Sequence, residues 1–134
     1  MSVASFLLPK DKVAFITSCA SMKEALEQLE NHYYSALPIV DEEGKYVGTL
    51  SEGDLLWTLK DKPGLTFENM HEVPLSDIEK NIHNESVSIH ADMEDMLALA
   101  ADQNFVPVVD DDHIFIGIIR RKDIIAYYMR NITD

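Results

Sequence analysis

The sequence predicts an α/β protein built from two β-α-β-β-α repeats packed as a pseudo-twofold pair. Three observations predict it: a duplicated block, apolar spacing that switches between helical and strand periods, and turn residues at the same place in each copy. Residues 37–56 read LPIVDEEGKYVGTLSEGDLL, and residues 106–125 read VPVVDDDHIFIGIIRRKDII. Pro38 aligns with Pro107, Gly48 with Gly117 and Asp54 with Asp123, each pair 69 positions apart without a gap. Upstream, residues 20–26 (ASMKEAL) resemble residues 91–97 (ADMEDML) at a displacement of 71. A repeat too small to bury both faces of its own sheet must pack against its neighbour, so the pair is one folding unit with a cleft expected at each end of the join.

The elements follow in order. A short apolar strand opens each copy, over 13–16 and 87–89. The next helix has an N-terminal signal at Ser21, with Glu24 three residues on, the spacing of a capping box. In the second copy Asp92 and Asp95 stand in the same relation. Met22, Ala25, Leu26 and Leu29 form one apolar stripe at helical spacing; Met93, Met96, Leu97 and Ala100 form the other. Two strands come next in each copy, 36–40 with 46–50 and 106–109 with 114–119, joined by hairpin-type turns at 41–44 and 110–113. A second helix spans about 51–59 and about 120–129. Pro63-Gly64 and Pro74 mark a connector, with a short helical turn at 66–70. The resulting division is a first repeat with its N-terminal segment over 1–60, a linker over 61–74 and a second repeat over 75–134.

Composition narrows the function. The 134 residues carry 24 Asp and Glu against 11 Lys and Arg, a formal charge of −13, which disfavours nucleic acid or an anionic membrane surface as partner. No stretch approaches the roughly 20 apolar residues of a membrane span, and residues 3–8 are too short an apolar run for a signal peptide. Cys19, the single cysteine, excludes an internal disulfide and a multi-cysteine zinc site. These features describe a cytoplasmic protein. The five histidines show no H-E-x-x-H spacing and read as surface or linker residues, and the 110–112 acidic run lacks the alternation of a calcium loop. With no P-loop, G-x-G-x-x-G or nucleophile elbow either, the chain reads as a non-enzyme without a bound metal or cofactor.

The strand-to-helix junctions carry the chemistry. At Gly48-x-x-Ser51-x-x-Asp54 two readings stand. One is a capping box, in which Ser51 and Asp54 satisfy each other's backbone amides. The other is a ligand site, in which free amides and the serine hydroxyl hold phosphate while Asp54 accepts two ribose hydroxyls. The second copy reads Arg120-Arg121-Lys122-Asp123. Arginine is a poor N-cap, and cations are unfavourable at the positive end of a helix. The cluster therefore favours a phosphorylated ligand over the competing reading, neutralisation by acids such as Asp123. Ser35, Ala36 and Pro38, with Asn104, Phe105, Val106 and Pro107, lead into strands where a flat base has an apolar slot; ordinary core packing is the alternative.

Taken together, the doubled ALPIVD with GTLSEGD and VPVVD with GIIRRKD resemble a tandem CBS-domain pair, over nearly the whole chain. The resemblance implies a Bateman module, usually dimeric, that binds AMP, ADP or ATP, or in some members S-adenosylmethionine or cyclic di-AMP. It implies ribose contacts at Asp54 and Asp123, a phosphate contact at Ser51, and a base slot lined by Ser35, Ala36, Asn104, Phe105 and Val106, flanked by Ile16 and Ile89. Arg120 departs from the family's serine or threonine, and its guanidinium, with that of Arg121, offers a bidentate substitute. The expectation is a stand-alone regulatory module that senses an adenosine nucleotide in the cleft between repeats and relays it to an unknown protein partner. The competing expectation is a structural dimerisation adaptor with vestigial clefts. A homodimer is expected in either case, through the apolar stripes Leu55, Leu56, Leu59 and Ile124, Ile125, Tyr128.

Overall fold

A computed structural model describes residues 2–32 and 34–132. It has the predicted mixed α/β architecture, with two sheets and four helices. By contacts the chain divides into two compact units, one of residues 14–83 and one combining 1–13 with 84–134. The division therefore does not follow the linear repeat boundaries: the N-terminal segment folds with the second repeat, and the connector folds with the first.

In the 14–83 unit the sheet order is β2-β3-β4, with β2 Ile16–Thr17, β3 Ala36–Val40 and β4 Tyr46–Ser51. β2 runs parallel to β3, the crossover being helix α1 (Met22–His32), and β3 pairs antiparallel with β4. Helix α2 (Glu52–Asp61) leaves the end of β4. The expected first strand over 13–16 shrinks to Ile16–Thr17, because the Val13 amide closes a 3-10 turn onto the Lys10 carbonyl (3.2 Å) instead of joining a ladder. The expected stripe of α1 is realised: Met22, Ala25 and Leu29 are buried against Leu37, Ile39 and Leu50 of the sheet. Met70 of the expected linker, and Leu75 and Ile78 from the start of the expected second repeat, also enter this core, each 2% exposed or less. They lie on or next to the 3-10 turns Met70–Glu72 and Leu75–Asp77, downstream of the helical turn expected at 66–70.

The other unit has sheet order β1-β7-β6-β5, with β1 Leu8–Pro9, β5 Val87–Ser88, β6 Phe105–Val109 and β7 Phe115–Arg120. Helices α3 (Met93–Asp102) and α4 (Arg121–Ile132) complete it. Asp92 is the N-cap of α3, but its side chain makes no capping bond, contrary to the capping box expected from Asp95; the Asp92 carbonyl takes the Asp95 amide at 3.1 Å instead. The fourth strand, β1, comes from the N-terminal segment and pairs Leu8 with Ile118 and Pro9 with Gly117. Gly117 permits this approach: a Cβ there would lie 2.3 Å from the Leu8 carbonyl oxygen.

The two hairpins match in detail. Asp41 Oδ1 accepts the amides of Glu43 and Lys45, and Asp110 Oδ1 those of Asp112 and Ile114, all at 2.9 Å. Gly44 and His113 take the left-handed position of each turn, φ 87° and 66°. The acidic run is thus a turn held by its own aspartate, as a solvated loop requires.

Candidate functional site

The local geometry of each sheet sets where a ligand can approach. β2 pairs only with Ile39 and Val40, and β5 only with Val108 and Val109. The first halves of β3 and β6, including Pro38 and Pro107, therefore have no strand partner on that side among the described residues. A proline suits this place because it brings no N–H that would need one. Beside it, Ser35 and Asn104 are exposed, Ala36 and Phe105 half-buried, and Ile16, Pro38, Val106 and Pro107 buried; Ile89 is half-buried next to β5. Val106, at 0% exposure, belongs to the core.

At the start of α2 the capping box exists. The Asp54 amide donates to Ser51 Oγ (3.1 Å), and the Ser51 amide donates to Asp54 Oδ2 (2.9 Å). The Glu52 amide donates to the Ser35 carbonyl at 2.9 Å. The free amides expected to hold phosphate are therefore taken at Glu52 and Asp54. Asp54 itself is 1% exposed, and its other oxygen, Oδ1, accepts both the backbone amide and the side-chain Nδ2 of Asn81, each at 3.0 Å.

The start of α4 differs. The Arg121 amide donates to the Asn104 carbonyl at 3.0 Å, the same clamp as Glu52 to Ser35, and the Arg121 guanidinium donates to Asn104 Oδ1. Arg120 forks onto Asp123, with Nε 2.7 Å from Oδ2 and Nη2 3.1 Å from Oδ1. Two of the three clustered cations thus have protein partners, and neutralisation of Arg120 by Asp123 is realised in the structure. Asp123 nevertheless keeps 34% of its side chain exposed. It lines a hollow of about 420 Å³ with Phe6, Leu8, Tyr127 and Arg130. Phe6 and Tyr127 meet edge to face, ring centres 5.4 Å apart. Nothing in the sequence announces these neighbours, because the N-terminal segment that supplies Phe6 carries no motif.

The exposed apolar residues also differ from expectation. Leu55 and Ile124 are core residues, 3% and 5% exposed, while among the described residues Leu56, Trp57, Ile125, Tyr128 and Met129 are the large apolar side chains open on α2 and α4. A groove of about 520 Å³ in the 14–83 unit runs past Leu26, Leu56, Leu59 and Phe67, with Glu30 and Glu52 among its lining. Among the described residues, no three His, Cys, Asp or Glu side chains gather as a metal site, and no helix is long and apolar enough to cross a membrane.

These paired junctions on a doubled β-α-β-β-α frame define a two-repeat module of one known class. The CBS domain model matches residues 6–61 and 75–130, so the chain belongs to the CBS-domain family as a tandem pair. No curated protein matches it. Among solved structures it is similar to a CBS domain protein from Streptococcus pneumoniae TIGR4, at 26% identity and TM-score 0.84, over 98% of this chain and 88% of that one. It is also similar to the Listeria monocytogenes CbpB protein in complex with c-di-AMP, at 26% identity and TM-score 0.78, over 98% and 97%. A further CbpB complex with c-di-AMP aligns at 25% identity and TM-score 0.83, over 100% and 90%.

Proposed function

We propose that the chain is a regulatory module that binds an adenine nucleotide, with Asp123 as the ribose acceptor, and that acts by binding rather than catalysis. The observation that carries this reading is the half-exposed Asp123 carboxylate in a hollow that also holds an aromatic pair and Arg130. A carboxylate accepts two hydroxyls at once, apolar and aromatic walls suit a base, and guanidinium groups suit phosphate. Ser35, Ala36, Asn104 and Phe105 remain the candidate base contacts beside the open halves of β3 and β6, flanked by Ile16 and Ile89.

Within the adenine nucleotides, AMP, ADP and ATP fit this chemistry, and c-di-AMP has the support of the two CbpB complexes. The functional unit is a homodimer, formed where Leu56, Trp57, Ile125, Tyr128 and Met129 would otherwise stay wet. Its output is a change in the surface offered to a protein partner, in the cytoplasm.

The test is the melting temperature with AMP, ADP, ATP, c-di-AMP and S-adenosylmethionine, with GTP as control. A ligand that binds only the native state stabilises it by about 2.7 kcal/mol at a hundred times its Kd. A shift with an adenine nucleotide but not with GTP supports the proposal. No shift with any of them, in a protein that sediments as a dimer, favours the structural adaptor with vestigial clefts.

A further inference from the structure

We infer that Asn81 is a built-in competitor for the ribose at Asp54, so that the junction in the 14–83 unit is closed until the segment around Asn81 moves away. The inference rests on the reading of these aspartates as ribose acceptors. Asp54 Oδ1 already accepts two N–H donors from a single residue, 3.0 Å each, while Oδ2 accepts the Ser51 amide at 2.9 Å. Two donors on one side of a carboxylate are what the two hydroxyls of a ribose would bring. With Asp54 at 1% exposure, a ribose cannot add to this arrangement; it has to replace Asn81.

The surroundings make the replacement feasible. The chain is fixed just before Asn81: Ile78 is buried at 2%, and Lys80 Nζ donates to the carbonyls of Leu75 (2.8 Å) and Ile78 (2.9 Å). From 79 to 86 no residue lies in a helix or strand, and Asn81, Ile82 and His83 are exposed. Segment 81–83 is thus a short flap with an anchored base and no ladder to hold it. Beyond the flap the chain is held again at Glu85, whose amide donates to Gln103 Oε1 (2.8 Å) and whose carbonyl accepts from Gln103 Nε2 (3.0 Å), so the unheld stretch is short. Asp123 also carries donors, Arg120 Nε on Oδ2 and Nη2 on Oδ1, but a third of its side chain stays exposed beside them. The two junctions therefore differ in access: Asp123 can be approached beside its ion pair, whereas Asp54 is reached only when the flap moves.

The experiment is calorimetry with AMP, with c-di-AMP as a parallel probe, on wild type, Asn81→Ala, Asp123→Ala and the double variant. Wild type should bind one AMP per chain in its tight phase; Asn81→Ala, which removes the Nδ2 bond and leaves the backbone amide on Oδ1, should bind a second AMP more tightly than wild type does. Asp123→Ala should weaken binding by roughly ten- to a hundredfold, and adding Asn81→Ala should recover roughly tenfold or more in affinity, the scale of one hydrogen bond to a charged group. Should Asn81→Ala fail to fold, amide exchange on wild type replaces it: the Asn81 amide must exchange faster at AMP concentrations that fill a second site. Equal stoichiometry and affinity with and without the Asn81 side chain, or an Asn81 amide unmoved by a second equivalent, overturns the inference and leaves the nucleotide reading intact. Absence of binding of either probe to all four proteins overturns the nucleotide reading, and the competitor role falls with it.

Discussion

Arg120 and Asp123 hold each other in a two-point contact, 2.7 and 3.1 Å, across the first turn of α4. At the equivalent place in α2, Ser51 and Asp54 hold each other's backbone amides. The same three-residue spacing thus ends one helix start in a capping box and the other in an exposed ion pair. Such a pair contributes about 0–1 kcal/mol, so breaking it to free Arg120 for another anion would cost little.

Replacing Arg120 by Ser tests this exchange. The variant loses the ion pair and gains an N-cap, worth about 0.5–2 kcal/mol, so the ligand-free protein should melt at the same temperature or slightly higher. Calorimetry should show weaker ATP binding with a flatter dependence on salt, because one phosphate-facing cation is gone. Unchanged ATP affinity with a lower melting temperature would assign the pair a structural role only.

Asp123→Ala should cost about 1.5–3 kcal/mol of adenine-nucleotide affinity, the range for hydrogen bonds to a charged group. The side chain is partly exposed and its partner Arg120 reaches solvent, so the fold should be little affected. A variant that binds as tightly as wild type while melting normally would remove Asp123 from the site.

Repeat-equivalent positions are not structurally equivalent, and this is where the sequence stops being legible. The register that aligned Pro38 with Pro107 and Asp54 with Asp123 placed every central strand within a residue or so, and β3 over its observed span. Periodicity suffices there because each strand packs against the helix beside it in sequence. Gly48 and Gly117 align equally well, yet a Cβ at Gly48 meets nothing within 4 Å, whereas at Gly117 it meets Leu8. The partner that makes Gly117 necessary lies more than a hundred residues away. Asn81 on Asp54 is likewise a contact between a motif and a segment with no motif, and no local pattern announces it.

The glycine pair yields a direct comparison. Gly117→Ala should destabilise by about 1–3 kcal/mol, the usual cost of overpacking, since its Cβ would sit 2.3 Å from a backbone oxygen and 2.8 Å from Leu7 Cδ1. Gly48→Ala should be close to neutral. Denaturant midpoints measure both, and amide exchange should show β1 released in the first variant alone.

Gln103 is buried at 7% and holds three backbone groups: Oε1 accepts the Glu85 amide (2.8 Å), while Nε2 donates to the carbonyls of Glu85 (3.0 Å) and Phe105 (3.1 Å). It staples the chain entering β5 to the chain entering β6. Gln103→Leu keeps the bulk and removes every one of these bonds, so it should cost roughly 1–3 kcal/mol, the penalty for orphaned buried polar groups. A denaturation midpoint equal to wild type would mean that water replaces the staple without loss.

The last prediction concerns alkaline pH. Burial raises the pKa of the Tyr46 hydroxyl above its ordinary value of 10.0, against a smaller lowering by its hydrogen bond with Thr49 Oγ1 at 2.7 Å. The unfolded chain releases this proton first. Below about pH 10 both states hold it and Tyr46 contributes no pH dependence; above that, the unfolded state binds fewer protons, so stability falls as pH rises toward the folded-state value. Melting temperatures followed from pH 8 to 11 should therefore decline near pH 10 in wild type. In Tyr46→Phe the starting stability should be lower by about 0.5–1.5 kcal/mol for the lost hydrogen bond, and the decline shallower. A parallel decline in both proteins would show that other groups, the lysines and remaining tyrosines, govern the alkaline limit.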